Sequence, residues 1–467
     1  PLEEAFGDWG APGVRALLDA IDPAESLNRV EIWDIDPFDT WVRGRVAILG
    51  DAAHNTAPDI GQGACSALED SFALGIVFAT NTLGIEDSLE RYRRIRTERA
   101  GDLVLRARKR AWETPAFDLD PEGEAEWLSA EQSNSTVIVG QQAVLKLLRK
   151  LAPGVHPDAE MTRYLGENGF ANVPAVMGTV TRVDESGEET LLMIAQAFVY
   201  NQGDGWQWTL NALERLATDT DWSFSNYENF AANLGRRLAE MHAVLARPTD
   251  NPDFAPEQMS AEDAQALGAR VAGEVAQAIG RLADTELAED VAGDAGWLAD
   301  NQQAITDAIA ELAKQAEGQQ RIRIHGDLHL GQVLMTGHDV MIIDFEGEPA
   351  RPLHERRAKD LAARDVAGML RSFDYAAAVA GSNRPAASES SEERAGEGAE
   401  MFRRRAIEAF LEGYHGTEGR DPMMLLFVLE KAAYEIGYEA ANRPDWIGVP
   451  AGGLAQAARE LLRENGK

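Results

Sequence analysis

The chain has 467 residues, 45% hydrophobic and 26% charged, the proportions of a globular protein long enough for more than one core. Its formal net charge of −34 argues against non-specific association with nucleic acid or an anionic membrane, so any phosphate-bearing ligand has to be met by a local cluster of donors. A single cysteine, Cys65, excludes an internal disulfide framework and a cysteine-based zinc site, and the longest apolar runs, such as Leu425 to Leu429, fall far short of the roughly 20 residues of a membrane span.

In chain order, residues 1–112 read as one unit, with a short apolar strand over 44–51, a helix over 69–78 and a long basic helix over 88–112 whose arginines form a solvated face. An acidic junction follows at 115–130. Strands are expected over 135–139, 143–148, 176–182 and 189–198, separated by the turn residues Gly140, Asp184, Ser186 and Gly187, with one helix over 157–167. From Asn211 the pattern is helical, interrupted by strands over 321–324, 332–335 and 340–344, and the Ser/Glu/Gly-rich stretch 386–400 reads as a mobile loop. Units of 1–112, 113–200 and 201–467 are expected. The last two, a small β-rich lobe and then a large helical lobe carrying a hairpin, have the layout of an α+β, two-lobe, protein-kinase-like fold. No secretory signal is visible in the first residues, and a cytoplasmic protein is expected.

The strongest chemical signal is His325-Gly-Asp-Leu-His-Leu-Gly-Gln332, followed by Ile342-Ile-Asp344-Phe345-Glu346. Phosphoryl transfer needs a carboxylate beside the acceptor hydroxyl and oxygen ligands for Mg²⁺ on the nucleotide phosphates. A loop ending in a hairpin supplies both, with Asp327 as catalytic base and Gln332 and Asp344 as metal ligands. Upstream, Lys146 lies among apolar residues of a strand and Glu160 lies on the next helix. The expectation is that the two pair and that the lysine grips ATP. Ser133, Asn134 and Ser135 occupy the position of a phosphate-covering turn, without its glycines. Gln196, Phe198 and Val199 end the β-rich block, where a kinase reads adenine from its hinge.

On the acceptor side, Glu430, Tyr434 and Tyr438 recur every four residues, and Lys431, Glu435 and Glu439 do so one step round, before Asn442-Arg443-Pro444. This spacing fits a sugar-binding wall. It equally fits a salt-bridge ladder beside a packed tyrosine stripe.

With Glu131-Gln-Ser-Asn-Ser, Pro157-Asp-Ala-Glu160, Gly203-Asp-Gly-Trp-Gln-Trp208, Arg364-Asp-Val-Ala-Gly and Asn442-Arg-Pro-Asp-Trp446 added to these motifs, residues 128–460 resemble the maltokinase family, in the aminoglycoside-phosphotransferase-like branch of the kinase fold. The resemblance implies ATP- and Mg²⁺-dependent phosphorylation of maltose to maltose 1-phosphate, in glycogen biosynthesis, with a partner in the trehalose-synthase pathway. It favours the sugar-wall reading for Glu430, Lys431, Tyr434, Glu435, Tyr438, Glu439, Asn442 and Arg443, with His329 added to that set. A related activity on glucosamine or another monosaccharide stays open.

Gly44-Arg-Val-Ala-Ile-Leu-Gly50-Asp51, then Pro58-Asp-Ile-Gly61-Gln62-Gly63, resembles the second flavin-contacting motif of the FAD-dependent aromatic hydroxylases. In that family Asp51 would bond the ribityl chain, and Gly61 to Gly63 would open a helix toward the flavin. No GxGxxG precedes residue 44, so these residues read as a partial α/β FAD-binding segment of a monooxygenase, and FAD stands as a possible but disfavoured cofactor.

Overall fold

A computed structural model describes residues 42–43, 46–47, 88–89, 91–93, 105–108, 125–128 and 134–464, less 185–186, 219–222, 286, 350, 383–388 and 417–420. The chain divides into two compact units, Pro1–Val104 and Leu105–Lys467. In the first, β1 (Val42–Arg43) and β2 (Val46–Ala47) form an antiparallel pair. The flavin-like residues Gly50, Asp51, Pro58, Gly61, Gln62 and Gly63 lie outside the described residues.

The second unit is the two-lobe, kinase-like α+β architecture. Its small lobe is one antiparallel six-stranded sheet of β3 (Leu105–Arg108), β4 (Ala125–Trp127), β5 (Asn134–Val139), β6 (Ala143–Leu148), β7 (Val176–Val183) and β8 (Glu189–Ala197), in the order β3-β7-β8-β6-β5-β4. The tight β5–β6 turn, closed by the Gln142 N–H on the Val139 carbonyl, places its central residues Gly140 and Gln141 in the left-handed region (φ 56° and 53°). Helix α1 (Pro157–Glu167) follows, with proline in its first turn.

Two expectations fail here. The single helix over 88–112 does not form, because Leu105–Arg108 pairs with β7. The sequence Leu-Arg-Ala-Arg alternates apolar and charged residues, the period of two of a strand rather than of a helix. The expected loop over 386–400 is helical from Glu389, within α8 below. Its Glu- and Ala-rich composition supports a helix, and a Glu400–Arg403 pair three residues apart strengthens it.

The large lobe contains α2 (Gly205–Thr218), α3 (Ser225–Leu245), α4 (Ala261–Ala283), α5 (Glu289–Ala313), α6 (Leu353–Arg356), α7 (Ala363–Ser382), α8 (Glu389–His415), α9 (Met423–Asn442) and α10 (Gly448–Glu464). The short pair β9 (Glu257–Gln258) and β10 (Gln320–Arg321) and the hairpin of β11 (Val333–Thr336) and β12 (Asp339–Ile342) complete it. Helix α4 starts at a reciprocal cap between Ser260 and Asp263. Buried Leu, Ile, Phe and Ala side chains from these helices and the hairpin make one continuous core, reached from the small lobe by Met161, Leu165, Phe170 and Val173. None of the described helices is long and apolar enough to cross a membrane.

Helices α3 and α8 approach too closely for side chains at their crossing. A Cβ on Gly235 would lie 2.0 Å from the carbonyl oxygen of Phe410, and one on Gly413 would lie 2.0 Å from that of Ala232. Gly235→Ala is therefore expected to cost about 1–3 kcal/mol through overpacking. Gly273→Ala on α4, where an added Cβ meets nothing within 4 Å, should instead stabilise by about 0.5–1 kcal/mol. Urea unfolding of the two variants checks both signs.

Candidate active site

Lys146, in the middle of β6, reaches across the lobes. Its Nζ donates to Asp158 Oδ2 at 3.1 Å and to Asp344 Oδ1 at 2.8 Å. Burial alone would lower the lysine pKa, but the two carboxylates outweigh it and raise the pKa above its ordinary value. Burial likewise opposes the charge on Asp344, and the Lys146 ammonium overrides it, holding the carboxyl below its usual range. Asp344 stands just beyond β12 with φ 67°, a left-handed conformation that few residues other than glycine adopt and aspartate tolerates.

The expected Lys146–Glu160 pair is not formed. Asp158, fully buried in the first turn of α1, takes the lysine, and its Oδ1 also accepts from the backbone N–H of Phe345 at 3.1 Å. Glu160 instead faces the large lobe, accepting from Arg323 Nη1 at 2.9 Å and from Arg357 Nε and Nη2 at 2.9 and 2.7 Å. Residues two apart on a helix point about 200° away from each other, so one of these acids can face the lysine and the other cannot. Burial works against the Glu160 charge, and Arg357 and Arg323 outweigh it to lower the pKa. Between the sheet and α1, burial pushes the His156 pKa down to about 4, so its ring is neutral.

The remaining nucleotide-side residues separate. Asn134 and Ser135 belong to β5, with Ser135 Oγ accepting from Arg149, rather than to a covering turn, and Ser133 lies outside the described residues. Gln196 is buried near the end of β8. Phe198 and Val199 follow, with the Phe198 N–H already given to the Gln142 carbonyl at 2.9 Å. The segment then docks on β11 through paired backbone bonds, Gln202 N to Met335 O and Met335 N to Gly203 O.

The loop before β11 is held from beneath. Asp365, at the start of α7, accepts from the N–H groups of His325 at 2.7 Å and Gly326 at 2.9 Å, and its Oδ2 lies 3.1 Å from His242 Nε2. Burial raises the Asp365 pKa in isolation, and the bond from His242 with the backbone donors overcomes it, so the carboxyl is held below its usual range. His325 Nε2 donates to the Ile343 carbonyl at 2.9 Å, leaving Nδ1 as an acceptor for the Asp327 N–H at 3.4 Å. Gln332 sits in a 3-10 turn, and its Nε2 donates to Asp344 Oδ2 at 3.1 Å. Among the described residues no three His, Cys, Asp or Glu side chains gather as a metal cluster. The Asp344 carboxylate with the Gln332 side-chain amide beside it nevertheless has the oxygen donors that would suit a hard cation completing its shell with phosphate oxygens and water.

Asp327 opens onto a cavity of about 430 Å³ between α4, α7 and α9. Glu430, Lys431, Tyr434 and Tyr438 line it; Tyr434 and Tyr438 are 39% and 47% exposed. Lys431 Nζ lies 3.2 Å from Asp327 Oδ1 and 3.6 Å from Glu348 Oε1. Burial would lower its pKa, and these two carboxylates raise it instead. Glu430 is held by Arg270 and Arg364.

Five predicted sugar-binding residues do not line this cavity. Glu435 bonds Arg371 at 3.0 and 2.7 Å, Glu439 bonds Arg443 and Tyr375, and the Asn442 amide bonds the Tyr438 carbonyl. His329 turns back on its own loop, accepting from Gly331 N–H at 3.1 Å. The two four-residue repeats conceal a drift: each step advances about 40° round the helix and the second repeat starts about 100° from the first, so Glu439 points opposite Glu430. The cavity is completed by Glu274, Arg281, Glu348, Arg351 and Arg364, which sequence reading did not single out as site residues because they reach it from other elements.

A two-lobe fold with a strand lysine bonded to acids on the next helix and on the hairpin, and a loop aspartate facing a polar cavity, defines a phosphotransferase. Residues 124–374 match the model of the phosphotransferase enzyme family, and the chain belongs to that family as an ATP-dependent phosphotransferase. A glucosamine kinase of Mycolicibacterium smegmatis is 30% identical, over 70% of this chain and 78% of that protein. The solved structure of a glucosamine kinase in complex with glucosamine, ADP and inorganic phosphate superposes with a TM-score of 0.58 at 25% identity, covering 72% of this chain and 79% of that one. Residues 13–107 match an FAD binding domain. There the FAD-dependent urate hydroxylase of Mycolicibacterium vanbaalenii is 55% identical over 27% of this chain, which spans 31% of that enzyme's length. This match gives no support to the expectation that flavin is disfavoured.

Two outcomes follow from the acids of α1. Asp158→Asn, which frees Lys146, is expected to lower kcat/KM for ATP by at least tenfold, and Glu160→Gln to lower it less, as steady-state kinetics will show. The depressed Glu160 pKa means its stabilisation is complete above about pH 4.5 and is lost as pH falls through the lower folded value. The difference in melting temperature between the parent and Glu160→Gln should therefore be constant near neutrality and shrink below pH 4.5.

Proposed function

We propose that the kinase unit transfers the γ-phosphoryl group of ATP to a hydroxyl of a small sugar. The observation that carries this reading is Asp327 lining the cavity, in the loop that leads through the hairpin to Asp344, which Lys146 bonds. The acceptor O–H gives its proton to Asp327 as its oxygen bonds the γ-phosphorus, and the bond from that phosphorus to the β–γ bridging oxygen breaks to release ADP. Asp365 and His325 fix the loop so that the Asp327 carboxylate holds its place, and Lys146 holds the phosphates. Gln332 and Asp344 would hold Mg²⁺, which when bound offsets charge on the β- and γ-phosphates. Residues 113–200, extended by β3, would then serve as the nucleotide lobe and 201–467 as the acceptor lobe.

Two acceptors are supported by separate observations. The names of the relatives and of the superposed structure favour glucosamine. The motifs that resemble those of maltokinases favour maltose. For residues 13–107 the family match supports flavin binding, which a visible flavin absorbance band in the purified full chain would report. Hydroxylation is not proposed, because the chain spans so little of the matching enzyme.

A coupled assay of ADP release with maltose, glucose and glucosamine tests the kinase reading; no stimulation by any sugar would refute it. Asp327→Asn is expected to reduce kcat by about 10²–10⁴ with little change in KM for ATP. Asp344→Ala should abolish turnover at every Mg²⁺ concentration, and recovery at a few millimolar would place this residue outside the metal site.

A further inference from the structure

Helix α1 is fastened to the large lobe more firmly than to its own sheet. On the large-lobe side Glu160 bonds Arg323 and Arg357, and the Tyr164 ring stacks on the buried Phe254 with 3.6 Å between centroids. Arg247 Nη1 donates to the Asn168 carbonyl, just past the helix, at 2.9 Å. On the sheet side, among the described residues, a small separate core of Ala159, Leu191 and Ile194 joins helix and sheet. Beside that core lies a second cavity, of about 290 Å³, between α1, β7 and β8. It shares no lining residue with the acceptor cavity.

The loop ahead of α1 is tied to β8: the Gly154 N–H donates to the Glu189 carbonyl at 2.8 Å. Two residues on, His156 lines the cavity and is only 9% exposed, and its Nδ1 is buried without a hydrogen-bond partner. Leaving such an atom unmet is costly, so a bound group that meets it gains correspondingly. The charged residues of the lining are already engaged, Glu160 by Arg323 and Arg357, and Arg163 and Glu189 by partners of their own. A ligand therefore finds one unmet buried nitrogen and no unpaired charge. Val155, Ala159, Val176 and Leu191 supply apolar walls, and Gly154 and Gly178 present bare backbone. The His156 ring and the Met177 thioether are side chains that favour contact with an aromatic ring. The volume lies at the small end of ligand pockets and suits one or two fused rings.

We infer that the cavity between α1 and the sheet is an effector site for an uncharged aromatic molecule of one or two rings whose hydroxyl bonds His156. A hydroxyl both gives and takes a hydrogen bond, so it satisfies Nδ1 in either tautomer of the ring. The elements on the two sides of the cavity carry the two halves of an ion pair on the nucleotide side, Asp158 on α1 and Lys146 on β6 of the sheet. A molecule that fills the space ties the sheet to the clamped helix. It thereby favours the Lys146–Asp158 contact and strengthens nucleotide binding, whichever acceptor the chain uses.

The test titrates the full chain by calorimetry with three probes, β-naphthol, β-fluoronaphthalene, in which fluorine replaces the hydroxyl, and the anion β-naphthoate. Each titration is repeated with ADP and Mg²⁺ present. In the parent chain β-naphthol is expected to bind about tenfold more tightly than either of the others, the contribution of one buried hydrogen bond. His156→Phe keeps a ring and removes both nitrogens, so its preference for the hydroxyl should fall below about twofold. Ala159→Met and Thr179→Leu fill the cavity from the helix and from the sheet, and each should weaken β-naphthol at least about tenfold. Two filling variants on opposite walls keep the test intact if one fails to fold. Saturating β-naphthol should lower the Kd for ADP at least about threefold, and ADP should lower that for β-naphthol by the same factor. The inference is overturned by an absence of saturable binding to the parent chain, by equal affinity for β-naphthol and β-fluoronaphthalene, by binding that both filling variants leave unchanged, or by binding with no effect on the Kd for ADP.

Discussion

The site depends on one buried ammonium. Lys146 leaves a strand of the small lobe and ends between Asp158 of α1 and Asp344 beyond the hairpin. An isolated charge at that depth would be costly, and two carboxylates make it tolerable only if all three elements hold their relative places. Asp158 tightens the arrangement by accepting from the backbone after Asp344, so the carboxylate that holds the lysine also fixes the turn that presents Asp344. Glu160, on the other side of the same helix, joins α1 to the large lobe through Arg323 and Arg357. A helix clamped on two sides has little freedom to swing, which favours an active site assembled before its substrates arrive.

The acceptor half shows a second use of charge. Its acids and bases neutralise one another closely: Asp327 and Glu348 with Lys431, and Glu430 with Arg270 and Arg364. A wall of paired charges presents many oriented donors and acceptors without a strong net field, which suits a neutral, hydroxyl-rich ligand.

Much of this was legible in the sequence where the information is local. The loop from His325 to Gln332, the hairpin, the lysine strand and the helix from Pro157 all depend on short spacings and turn residues. Legibility ended where phase or distant partners decide. The choice of Asp158 over Glu160 depends on where the first helical turn begins. The loss of Glu435, Glu439, Asn442 and Arg443 from the cavity comes from a rotation that accumulates along α9. Asp365 and Arg281 reach the site from other helices and carry no local mark. Composition misled from Glu389 to Glu400, where a Ser/Glu/Gly-rich sequence suggested a loop although Glu and Ala sustain a helix.

Strand β3 has a consequence for where this chain can be cut. The match to an FAD binding domain runs to residue 107, and the six-stranded sheet of the kinase unit begins at Leu105. Three residues thus belong to both regions. A shortened chain starting after the flavin-like region would lose its sheet edge and leave β7 with an uncovered row of backbone donors and acceptors, an invitation to intermolecular strand pairing. Starting instead just ahead of Leu105 keeps β3 paired to β7 as the edge strand.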